Sequence, residues 1–136
     1  MRLSVTLTRQ GERFALQLLP AQRVAVGAAV EVVSSLRSSE LVLEVQFGAP
    51  RQKLIDTGNR VNSPAVSIVT RDDLQAIYQL LRTLPECFSS EEAFHVRTGY
   101  YKENFIGLSK GVLDAVGKCS QDHVAVPDAD DGKGGS

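Results

Sequence analysis

The stretch LVLEVQFGAPRQKLIDTGNRVNSPAVSIVT, residues 41–70, decides how the rest of the chain is read. Leu41, Leu43, Val45 and Phe47 recur with period two, which predicts one face of a strand. Gly48-Ala49-Pro50 breaks that strand, and Gln52 to Ile55 returns as the second arm of a hairpin that delivers Asp56 at its exit. Gly58-Asn59 is a turn signal. Pro64 stands at a strand entrance, where its missing N–H does least harm, and Ala65 to Val69 reads as a buried strand.

Downstream, Thr70-Arg71-Asp72-Asp73 opens a helix predicted over 71–84. Thr70 is its cap, Asp72 and Asp73 lie in the positive first turn, and Leu74, Ile77, Tyr78, Leu81 and Leu84 share one face before Pro85 ends it. Phe94, Val96 and Thr98 alternate as a strand, Gly99 turns, and Tyr101 to Ile106 returns. Ser109 can cap a short second helix, about 109–117, with Val112, Leu113 and Val116 inward. Upstream, residues 3–8 and 13–19 both alternate, and Gly11 between them suits a hairpin turn. Between Val24 and Val33 strand and helix compete, and the β-branched content favours strand.

A chain of 136 residues suffices for one domain with a core and is short for two. Aromatic residues are 6% and Trp is absent, so aliphatic Leu and Val must fill the interior. The expected architecture is a single β-rich α+β domain of hairpins over 1–119, followed by an acidic, Gly/Asp-rich flexible tail over 120–136. That tail holds four aspartates and one lysine. Subtracting them from the 16 acidic and 15 basic residues leaves the body near +2, too little to argue strongly for nucleic acid. The N-terminus lacks the apolar core of a signal peptide, and no run reaches membrane-span length, so a soluble cytoplasmic or intravirion protein is expected, with no membrane partner. Without an export signal, Cys87 and Cys119 read as free thiols.

The sequence Leu54-Ile55-Asp56-Thr57-Gly58, reached through a predicted hairpin, resembles the catalytic segment of retropepsin-type aspartic peptidases. Phe105-Ile106-Gly107 and the helix after it are similar to the second segment of that family, which packs on the catalytic loop. The resemblance implies a homodimer. Two Asp56 carboxylates would share one proton and activate a water against a peptide substrate, without any cofactor. Thr57 would hold the loop across the two-fold axis, and Gly58 would admit the partner. Asp, Gly and Asn are also what turns are made of, so Asp56 to Asn59 reads as well as a plain loop, the blander of the two readings.

Arg97, Tyr100, Tyr101, Lys102 and Phe105 interleave cations with rings, as single-stranded nucleic-acid sheets do when bases stack and phosphates meet cations. The order of strands and capped helix resembles the Whirly single-strand-binding proteins in topology. A solvated hairpin explains the same residues. Cys87, His95, Cys119 and His123 are zinc-compatible types, but their spacing fits no short zinc module, and core thiols with surface imidazoles explain them without a metal. A third reading is a self-assembling structural or accessory protein of virion type, in which exposed strands pair between chains. Homo-oligomerisation, as a dimer or larger, is expected, and all three readings allow it.

Overall fold

The computed structural model describes the backbone of residues 3–124 and the side chains through Ser120. In chain order it comprises β1 (Thr6–Gln10), β2 (Arg13–Gln17), α1 (Pro20–Ser34), α2 (Glu40–Phe47), α3 (Arg51–Val61), β3 (Val66–Val69), α4 (Arg71–Thr83), α5 (Glu91–Thr98) and α6 (Lys102–Val124). A single 3-10 turn, Leu84–Cys87, follows α4. Helix accounts for 66% of the structure and the strands form one three-stranded antiparallel sheet, so the β-rich expectation is overturned. Helix α6 continues through Val124, and the remainder of the expected tail, 125–136, lies outside the described residues.

The sheet order is β1-β2-β3. β1 and β2 join through Gly11-Glu12, with Gln10 opposite Arg13 and Gly11 at φ 65°, a left-handed value that glycine takes without strain. β2 then carries β3, with Phe14 opposite Val69 and Leu16 opposite Ser67 on the inward face.

Five segments read as strands are helical, and the burial pattern says why. In α1 the buried residues Ala25, Val26, Ala29, Val30 and Val33 recur at helical spacing, and the intervening alanines outweigh the weak strand preference of valine. Pro20 occupies the first turn, and the Gln22 side chain accepts the Leu19 N–H at 2.8 Å while donating to the Ser4 carbonyl. In α2 the supposed strand face divides. Leu43 and Phe47, one helical turn apart, are buried, whereas Leu41 and Val45 face outward. Ser39 caps α2 by accepting the Val42 N–H, and Gly48 ends it at φ 72°. Pro50 is the N-cap of α3. The predicted strand at 94–98 is α5, capped by Ser90 and ended by Gly99 at φ 81°, and the predicted return strand begins α6. The short helix expected at 109–117 is the middle of that longer helix.

Helix α3 packs on α1 and α4, α4 packs on α6, and β1 lies against α6. The chain ahead of β1 crosses α6 at two of its glycines. A Cβ on Gly111 would overlap the Leu3 carbonyl oxygen, and one on Gly107 would lie 2.6 Å from a Leu3 methyl. These glycines forfeit roughly 1 kcal/mol of helix propensity each. In exchange the terminal segment closes on the helix.

Candidate functional site

The segment expected to carry chemistry lies in the middle of α3. Leu54, Thr57, Gly58 and Val61 are its buried stripe, at helical offsets of three and four, so Asp56-Thr57-Gly58 is neither a strand exit nor a loop. Asp56 faces solvent, where its Oδ1 accepts a hydrogen bond from Gln52 Nε2 at 2.8 Å one turn earlier. Gly58 faces inward. A Cβ there would overlap Val30 Cγ2 of α1 and touch Leu80 of α4, so the glycine serves helix–helix contact within this chain. Thr57 is buried, and its Oγ1 has no hydrogen-bond partner among the described residues. The carboxylate-presenting loop that the resemblance implied is thus replaced by a helix, which leaves Asp56 exposed and turns Thr57 into the core.

The most constrained charge among the described residues is one that the sequence placed only in the positive first turn of a helix. Asp73 is 3% exposed at the start of α4. Its Oδ1 receives Lys53 Nζ at 2.8 Å and Arg60 Nη2 at 2.7 Å, both from α3, and its Oδ2 accepts the Thr70 N–H at 2.9 Å. The Thr70 hydroxyl returns the favour to the Asp73 N–H, completing a capping box. Burial alone would raise the Asp73 pKa. The hydrogen bonds from Arg60, then Lys53, then the Thr70 backbone outweigh it and hold the carboxyl well below the usual carboxylate range, while Asp73 raises that of Arg60. This clamp ties α3 to α4. Lys53 and Arg60 are two turns apart on α3, a spacing visible in sequence, but their convergence on Asp73 depends on α3 being a helix.

The cluster at 97–105 forms the corner between α5 and α6. Phe105 is buried and meets Phe94 edge-on, with Tyr100 tilted against it at 5.4 Å. Lys102 donates its Nζ to the Phe88 carbonyl at 2.7 Å, and Arg97 bonds the Ser35 hydroxyl at the end of α1. Tyr101 is exposed and stacks on His95 with ring centroids 4.4 Å apart. Only Arg97 and Tyr101 of the five project well into solvent, so the corner brings these residues together mainly through packing.

Cys87 lies half-buried in the 3-10 turn, where burial and then the Glu86 carboxylate push its thiol pKa up; Cys119 is buried on α6. The His123 side chain lies outside the described residues. Among the described residues no group of three or more His, Cys, Asp or Glu could hold a metal ion, and no helix is long and apolar enough to cross a membrane.

Among the exposed apolar side chains of the described residues, a pair on α2 and a pair on β3 each share a face, and the sequence identified neither pair as exposed. On α2, Leu41 is 72% and Val45 75% exposed, one turn apart. On β3, Val66 is 50% and Ile68 49% exposed on the outer face of the sheet. β3 is also an edge. The Leu18 N–H reaches the Ala65 carbonyl at 3.3 Å, so the antiparallel ladder turns Ala65, Ser67 and Val69 toward β2. The backbone N–H and C=O of Val66 and Ile68 therefore point away from the sheet, and no hydrogen bond from the described residues meets them.

No protein-family model, curated protein or solved structure matches this chain.

Proposed function

We propose that this chain is a non-catalytic accessory protein that self-associates through the β3 edge. The observation that carries the reading is the coincidence on β3 of unpaired backbone groups with half-exposed Val66 and Ile68. Sheet edges in proteins that stay monomeric are blunted by charge, proline or a bulge. None of Val66, Ser67, Ile68 or Val69 is charged or proline.

The register of such an association follows from the ladder. The outward groups belong to Val66 and Ile68, and the antiparallel register that engages both in each copy has its two-fold axis through Ser67, which sets Val66 opposite Ile68 of the second copy. Both N–H···O bonds of each pair are then made. The outer apolar side chains continue across the junction as one row.

Sedimentation velocity across a concentration series tests this. The chain is expected to sediment as a dimer or larger species, and Ile68→Lys as a monomer with unchanged circular dichroism. Val45→Lys, on the competing α2 surface, is expected to leave association intact. A wild-type chain that stays monomeric at the highest concentrations, or an Ile68→Lys variant that still associates, rejects the reading.

A further inference from the structure

Beyond the association surface, we infer that the concavity between the hairpin tip and the start of α4 is a binding site for a compact polyphosphate anion. Its volume is about 550 Å³, and its lining includes Arg9, Glu12, Arg13, Phe14, Arg71 and Asp72. Three arginines thus line one hollow from three elements, β1, β2 and the first residue of α4. None of the three is in an ion pair among the described residues, although Glu12 and Asp72 line the same hollow.

Arg9 is already positioned. Its Nε donates to the Gly11 carbonyl at 3.0 Å and its guanidinium lies 5.5 Å from the centre of the Phe14 ring, leaving its terminal nitrogens for a ligand. Arg13 and Arg71 are exposed. The helix amides are not the attraction here, because Thr70 and Asp73 already cap α4. Guanidinium forks match the paired oxygens of phosphate, and several forks around one hollow suit a ligand with more than one phosphoryl group. The carboxylates of the lining residues Glu12 and Asp72 oppose an anion, which sets a distinctive charge response.

The test is an NMR amide titration of the full chain with inorganic pyrophosphate. Saturable shifts are expected at Arg9–Phe14 and Thr70–Asp72. Arg13→Ala and Arg71→Ala should each weaken binding about tenfold, whereas Arg82→Ala, an exposed arginine on the far part of α4, should leave it unchanged. Glu12→Gln should tighten binding about threefold by removing a repulsive charge. The same spectra report whether each variant is folded, and Ile68→Lys should bind as the wild type does, which separates this site from the association surface. Absence of saturable shifts, shifts scattered over all exposed lysines and arginines, or an equal loss with Arg82→Ala overturns the inference.

Discussion

Helix α3 directs Leu54, Thr57, Gly58 and Val61 inward against α1 and α4, whereas β3, one short loop later, leaves Val66 and Ile68 half-exposed at an open edge. Both come from the same stretch of sequence. In α3 the residues that suggest chemistry are used up in closing the core: Gly58 admits Val30, and Lys53 and Arg60 clamp Asp73. In β3 the residues that suggest nothing are the ones the fold leaves unfinished. The contrast teaches that an isolated Asp-Thr-Gly says little until its secondary structure is known, while a short apolar strand acquires meaning from which of its edges is paired.

The sharpest way to break the contrast is to remove the clamp. Asp73→Ala strips two cations of their shared carboxylate and α4 of half its capping box, and is expected to destabilise the fold by about 3 kcal/mol in chemical denaturation. The same group sets a pH response. Because folding lowers the Asp73 pKa, its contribution is present above the ordinary carboxylate value and is lost as pH falls below about 4. A stability profile against pH should therefore decline through that window in the wild type and less steeply in Asp73→Asn.

Gly58→Ala comes next. Its new methyl group overlaps Val30, an overpacking cost of about 3 kcal/mol against a propensity gain of about 1, for a net loss near 2 kcal/mol. Adding Val30→Ala should lower the remaining penalty for the glycine change, since the two residues share one contact. Thr57→Val keeps the shape and removes a buried hydroxyl with no partner among the described residues, so a stabilisation of about 1 kcal/mol is expected in thermal melts. Smallest of all, Asp56→Asn on the exposed face should shift stability by no more than about 0.5 kcal/mol. If it instead abolished cleavage of a peptide library that the wild type cuts, α3 would be the chemical region after all.

Parts of this fold were legible beforehand because local signals agreed with one another. Thr70, Asp72, Asp73 and the apolar spacing that follows define α4, and Gly11 between two alternating runs defines the hairpin. The misreadings have local causes. Positions four apart satisfy both a period of two and a helical turn, so Leu43 and Phe47 fit a strand face and a helix face alike. Valine-rich α1 and α2 pulled the reading toward strand, and Pro50 looked like a breaker when it starts a helix. The resemblance at Asp56 then inherited the wrong secondary structure.

The sequence by itself determined the hairpin turn at Gly11, the Thr70 cap of α4 and the inventory of apolar and charged side chains, because a glycine torsion and a capping hydroxyl act over a few residues. Only the tertiary structure decided that Gly58 meets Val30, that Lys53 and Arg60 converge on Asp73, and that β3 lies at the edge of its sheet. Each of those depends on which elements become neighbours, and neighbours far apart in the chain are chosen by how the whole molecule buries its apolar surface.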